Sequence, residues 1–124
     1  MKKEINEHAF RVAVIDSDLD TVKYLVELNG NVMSVVSAPL ALVSGSGHID
    51  MVRYLVEHGA DVSANNNAAL QEASKYGHLD IVKYLVEHGA DVSANNNAAL
   101  QLASKYGHID IVKYLMKNST GHKN

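Results

Sequence analysis

Between residues 68 and 88 the apolar positions fall twice into helical spacing, and a polar stretch follows each time. In AALQEASK (68–75), Ala69, Leu70 and Ala73 lie on one stripe, which predicts a short helix. Asn67 stands just before it, where a side-chain oxygen can cap the exposed N–H groups. Tyr76-Gly77 breaks this helix, glycine tolerating a turn conformation that other residues resist. HLDIVKYLVEH (78–88) predicts a second helix that buries Leu79, Val82, Leu85 and Val86. Asp80 sits in its first turn, favourable to the helix dipole and within reach of Lys83, and Gly89 takes the terminal C′ position. The polar string ADVSANN then has to connect to whatever comes next.

What comes next is the same pattern. Residues 90–119 match 60–89 at 24 of 30 positions without a gap, and residues 30–59 match 60–89 at 14, mostly from Gly47 onward. A further step back gives DLDTVKYLVELN (18–29) after the degenerate stretch HAFRVAVID. The register holds to the residue, since Tyr24, Tyr54, Tyr84 and Tyr114 lie 30 apart, as do Asp20, Asp50, Asp80 and Asp110. Self-similarity at a fixed period signals a repeat array. Helices this short do not persist alone in water, and one pair cannot bury both its faces, so the copies must stack into a linear, all-α helix-turn-helix solenoid. The predicted organisation is one domain over residues 1–119, with repeats at 1–29, 30–59, 60–89 and 90–119, and a polar tail at 120–124. Four stacked units span roughly 35 Å, a length that suits a standard protein interface.

Composition narrows the function classes. The net charge of −3 offers no basic field for nucleic acid or an acidic membrane, and with no cysteine there is neither a disulfide framework nor thiolate chemistry. The first ten residues have polar Glu4, Asn6, Glu7 and His8 where a secretory signal needs an apolar run, which predicts a soluble intracellular, cytoplasmic protein. Neither a Gly-rich phosphate loop nor a nucleophile elbow occurs, so no cofactor, no catalytic residue and no enzymatic activity are expected.

The strings GHLDIVKYLVEHGADV and GHIDMVRYLVEHGADV resemble the second helix and following turn of ankyrin repeats, and the resemblance extends over residues 18–119. Two departures stand out. The family's Thr-Pro-Leu-His opening survives only as Ser37-Ala38-Pro39-Leu40 and is Asn67-Ala68-Ala69-Leu70 elsewhere, and the period is 30 rather than the family's usual 33. The missing residues fall before the first helix, where ankyrin repeats project a β-hairpin finger, so a short extended loop is expected there. The Asn-rich, shortened unit is similar to the ankyrin arrays of giant DNA viruses of amoebae, which implies a host protein as partner and the host cytoplasm as location.

The resemblance implies a non-catalytic module that binds a protein along the concave side, through turn tips and the exposed ends of the first helices. Carried over by position, these are Asn65, Asn66, Lys75 and Tyr76, and Asn95, Asn96, Lys105 and Tyr106. The Lys-Tyr pairs suit an interface, tyrosine supplying area with few rotors. Repeat two has Gly45 and Ser46 in their place, which confines the adhesive strip to the C-terminal half. Glu72 joins the strip as a partner-facing acid beside Lys75: its equivalents Val12, Leu42 and Leu102 are apolar, so a carboxylate there costs stability unless it reaches solvent or a donor.

Other features read as structural. Tyr24, Tyr54, Tyr84 and Tyr114 sit within the apolar pattern of the second helix and are expected to pack, with hydroxyls at the edge. His48, His78 and His108 begin that helix and His58 and His88 end it, without the close pairing that metal ligands need, so no metal is expected. The front carries Lys2, Lys3, Glu4, Asn6, Glu7 and Arg11 around Ile5 and Phe10, a polar cap. The last unit keeps Leu102, Ile109, Ile111, Val112 and Leu115, so its outer edge is expected to expose apolar surface and either to self-associate or to belong to a longer array. The alternative to a binding module is a structural or engineered, consensus-like scaffold without a specific partner, which the near identity of the last two units permits.

Overall fold

A computed structural model describes residues 7–29 and 38–120. Four helix pairs follow one another there: α1 (Glu7–Ile15) with α2 (Leu19–Asn29), α3 (Ala38–Ser46) with α4 (Ile49–Glu57), α5 (Ala64–Tyr76) with α6 (Leu79–Glu87), and α7 (Ala94–Lys105) with α8 (Ile109–Thr120). The structure is thus an all-α helix-turn-helix array, with no strand among the described residues and no helix long and apolar enough to cross a membrane. The anticipated cap residues before Glu7 lie outside the described residues. Neighbouring first helices (α3, α5, α7) approach one another more closely than neighbouring second helices (α4, α6, α8), and the side that the first helices form is called the inner side.

One core runs through the stack. Phe10, Val14, Val22, Leu40, Val43, Val52, Leu55, Leu70, Val82, Leu85, Ile111 and Leu115 are all fully buried in it. On α6 the buried face is Ile81, Val82 and Leu85, with Leu79 and Val86 only half-buried. The 3.6-residue period allowed either stripe, and packing on both neighbouring second helices selects the one that includes Ile81. Ser44 and Ser74 are buried on the first helices, where their Oγ atoms have no hydrogen-bond partner.

The connection before each of the last two first helices is not an extended loop. Asp61 Oδ1 accepts from the Ser63 N–H at 2.9 Å and from its hydroxyl at 2.7 Å, and Asp91 does the same with Ser93 at 2.9 and 2.8 Å. These donations, the hydroxyl's first, hold both carboxyls below the ordinary carboxylate value. Three left-handed residues follow in each copy: Asn65, Asn66 and Asn67 at φ 56°, 60° and 62°, and Asn95, Asn96 and Asn97 at 58°, 60° and 60°. Left-handed backbone brings Cβ against the following carbonyl, and asparagine is the non-glycine residue that tolerates it best. The asparagine run is therefore a backbone requirement. It compacts the connection and starts right-handed helix only at Ala68 and Ala98.

Gln71 Nε2 closes the turn by donating to the Asn66 carbonyl at 2.7 Å, and Gln101 does the same to Asn96. Asn67 has a different task from the anticipated helix cap. It is buried, and its Oδ1 accepts the Asp91 N–H of the following repeat at 2.9 Å.

The second helices start on histidine. His78 and His108 cap no N–H of their own helix; each Nε2–H instead donates to a carbonyl of the preceding first helix, Gly45 at 2.9 Å and Lys75 at 3.0 Å. Each ring lies on a glycine. A Cβ at Gly47 would sit 2.7 Å from His78 Cε1, and one at Gly77 would sit 2.7 Å from His108 Cε1. Repeat one differs: Asp18 occupies the histidine position and caps α2 through Thr21 at 2.7 and 3.2 Å. Ser17 stands where the glycine would be, and His48 above it is exposed. The histidines that end these helices serve locally, as His58 and His88 donate Nδ1–H to Tyr54 and Tyr84 carbonyls at 2.9 and 2.8 Å. No metal-binding cluster occurs among the described residues.

Two stability predictions follow from these geometries. Asn66→Ala should destabilise the fold by about 1 kcal/mol, while Asn66→Gly should be nearly neutral, because the side chain is exposed and only the left-handed backbone is at stake. Ser74→Ala should stabilise it by about 1 kcal/mol by removing an unsatisfied buried hydroxyl, whereas Ser104→Ala, at the exposed equivalent, should have no effect. Urea unfolding of the four variants checks both.

Candidate protein-interaction face

The inner face is built from the outward stripes of α1, α3, α5 and α7. Val12, Leu42, Glu72 and Leu102 form one column, and it is not a core column: Val12 is 41% and Leu42 53% exposed, and Glu72 and Leu102 are half-buried. Glu72, expected as a partner-facing acid that needs solvent or a donor, is half-buried on this outward stripe. Its apolar counterparts are the unusual members, since with Ile15 they leave aliphatic side chains open to solvent.

One turn further along the helices stand Lys75 and Tyr76, then Lys105 and Tyr106. Tyr76 is 52% and Tyr106 47% exposed, large areas for aromatic side chains with no partner bound. Gly45 on α3 makes room for the first of them. A Cβ built there would come within 3.3 Å of the Tyr76 ring and 3.2 Å of Glu72 Cβ, so the absent side chain lets α5 lay both residues across the previous helix. The Lys75 ammonium lies 5.2 Å from the Tyr76 ring centre and 5.9 Å from that of Tyr106, and Lys105 lies 5.6 Å from Tyr106. At these separations the ring faces attract the cations. The Lys75 ammonium is held above the ordinary lysine value, mostly by Tyr76, then by Tyr106, with Glu72 adding to the effect. Tyr76, Lys75, Tyr106 and Lys105 therefore form one continuous row rather than two separate pairs.

Beside this row runs an open groove lined by Gln71, Asn95, Asn96, Gln101, Leu102 and Lys105. The structure thus brings Asn95, Asn96 and Lys105 together and shows Asn65 and Asn66 exposed one repeat earlier. Sequence reasoning missed the glutamines. Their signal was available, since Gln71 and Gln101 are the chain's two glutamines and each follows an asparagine triplet by the same interval. It also missed Val12, Ile15 and Leu42, whose helical spacing reads as core.

The tyrosines of the second helices behave otherwise. Tyr54, Tyr84 and Tyr114 are half-buried against the core, each under a cation from the preceding repeat: Lys23 at 5.9 Å, Arg53 at 5.5 Å and Lys83 at 5.8 Å. Lys83 thus lies over a ring of the next repeat, while Asp80 Oδ1 accepts the Ile81 N–H at 2.8 Å. Burial, joined by Glu27, Glu57 and Glu87 respectively, pushes all three phenols up. Tyr24 departs from the expected ladder. It is 62% exposed, with no earlier helix pair among the described residues to cover it.

Stacked helix pairs with a shared core, joined at the last two steps by a histidine laid on a glycine, define a helical-repeat scaffold, and its family can be stated. The chain belongs to the ankyrin repeats: the family description "Ankyrin repeats (3 copies)" matches residues 10–96 and again 63–124. Ankyrin repeats generally mediate protein–protein interaction and are typically non-catalytic. No curated protein matches the chain.

Because Glu72 lies at the surface, Glu72→Leu should change the unfolding free energy by less than about 0.5 kcal/mol in either direction, as surface substitutions do. Denaturant titration checks this; stabilisation of several times that size would place the residue in the core after all.

Proposed function

We propose that this protein binds a partner protein through the inner face of its first helices, with Tyr76, Lys75, Tyr106 and Lys105 as the adhesive row. The observation that carries the reading is the half-exposure of Tyr76 and Tyr106 around one shared cation. Aromatic residues with a polar tip dominate binding hot spots, and here the rings are already oriented by Lys75 and the Gly45 notch. Asn65, Asn66, Asn95 and Asn96 supply hydrogen-bonding groups at one edge, and Glu72 an acid beside Lys75. The exposed aliphatic column of Val12, Leu42 and Leu102 extends the contact toward the first repeat, beyond the last two units. The shortened connections favour the same face, because the helices rather than projecting fingers offer the side chains. The likeness of the 30-residue unit to giant-virus arrays supports a host protein, met in the cytoplasm, as that partner.

A photo-crosslinking amino acid in place of Tyr76 should capture the partner, and the same group in place of Tyr24, exposed on a second helix, should not. Changing Tyr76 and Tyr106 together to Ala should weaken binding by at least about tenfold, the loss of a single hot spot or more, while leaving the melting temperature nearly unchanged. Capture from position 24 alone, or unaltered affinity in the double variant, refutes the assignment of the face.

A further inference from the structure

Two ammoniums converge on one aromatic ring where α5 and α7 end. Lys75 stands 5.9 Å and Lys105 5.6 Å from the centre of the Tyr106 ring, and Lys75 also lies 5.2 Å from that of Tyr76. The ring faces attract both cations, yet each cation repels the other. Glu72 does not stand between them. Its Oε1 lies 3.4 Å from a Cβ built on Gly45, so the carboxylate leans over α3, away from α7. Together α3, α5 and α7 carry two lysines and one glutamate, in a chain whose net charge is −3. The row is a local cationic site on an otherwise acidic molecule.

The groove beside the row shares Lys105 with it and is lined by the side-chain amides of Gln71, Asn95, Asn96 and Gln101, with Leu102 among them. Amides of this kind pair with a peptide backbone, whose N–H and C=O groups each need a partner when covered. The helix rises about 10 Å from Ala98 to Lys105, the span of about three extended residues. A nucleic-acid strand matches this groove poorly. It carries a charge at every residue, and its phosphates would run from the lysines onto the turn end, where Asp61 and Asp91 are exposed. A basic segment matches less well again, because the chain's own ammoniums already stand at both rings.

We infer that the partner offers an extended acidic segment, with an Asp or Glu carboxylate seated between Lys75 and Lys105 and its backbone laid along the amide-lined groove. The carboxylate accepts hydrogen bonds from both ammoniums and relieves their mutual repulsion. This assignment rests on the inner-face reading and gives that face its ligand chemistry.

The probe is a phage-displayed random-peptide library panned on the full chain. Enriched sequences should share an Asp or Glu. One of them, made synthetically and followed by fluorescence anisotropy, should bind at least about tenfold more weakly when that acid is changed to Gln. The double variant Lys75→Gln with Lys105→Gln should weaken the original peptide as much, with little change in melting temperature, since Lys105 is exposed and Lys75 half-buried. Lys75→Glu with Lys105→Glu should instead prefer the peptide whose acid is replaced by Lys, a reversal that a merely structural role of the lysines does not produce. Enrichment of sequences without an acid, no enrichment at all, or full affinity in the glutamine variant overturns the inference. An oligothymidylate that binds more tightly than the peptide, and is lost in the same variant, assigns the row to nucleic acid instead. Binding that falls when Tyr76 and Tyr106 become Ala but ignores the lysines keeps the inner face and overturns only the carboxylate. Acidic-peptide binding indifferent to both tyrosines overturns the face itself.

Discussion

Everything in this molecule depends on the joint between one helix pair and the next. The helices run from 9 to 13 residues, too short to persist alone, and a single pair has an apolar side on each flank. The core is consequently shared, and its alignment has to be renewed at every step. Histidine at the head of the second helix does this in the last two joints: a planar ring laid on a glycine, with a hydrogen bond to a carbonyl one helix back. Repeat one shows what the position does without that task. Asp18 there is an ordinary N-cap satisfying its own helix, a contribution of about 1 kcal/mol. His78 and His108 forgo the local cap for a bond between repeats, so register along the stack outweighs the comfort of one helix end.

The second constraint is the length of the connection. With three residues fewer than the usual ankyrin unit, the chain must turn from the end of one second helix to the next first helix without a hairpin. Before α5 and α7 it does so with an aspartate-centred turn and then three left-handed asparagines, tied down by glutamine. A compact turn keeps its side chains near the body of the stack, which agrees with the proposed binding surface on the outward stripe of the first helices and the groove beside it.

Much of this was legible in the residues. The 30-residue register gave the helix pairs, the breaks at glycine and most of the core, because a strict period leaves few ways to stack. Periodicity was silent on which of two adjacent stripes faces a neighbour, and the misreadings share that origin. Val12, Leu42 and Leu102 are spaced like core residues yet lie on the outward stripe, which made Glu72 look anomalous among them. Tyr24 matches its three counterparts in sequence and differs in having no preceding helix pair over it among the described residues. The asparagine run could not be read as left-handed from composition, since asparagine is equally at home in caps and open loops. Its recurrence with Gln71 and Gln101 becomes meaningful once the turn has a conformation.

The two sets of tyrosines show how one residue type divides between holding the stack and offering a surface. On the second helices each covered ring lies beneath a cation of the preceding repeat and is buried enough to push its phenol up, so its area is consumed by the joint. On the first helices the cation comes from the ring's own neighbour, Lys75 beside Tyr76 and Lys105 beside Tyr106, and only Lys75 spans two repeats. A lysine already resting on two aromatic faces has surrendered part of its side-chain freedom before any partner arrives. Tyrosine adds little further ordering cost, having few rotors to immobilise. The inner row is therefore preorganised without being buried. That combination favours binding, because the contacts that orient the row leave about half of each ring free to be covered by something else.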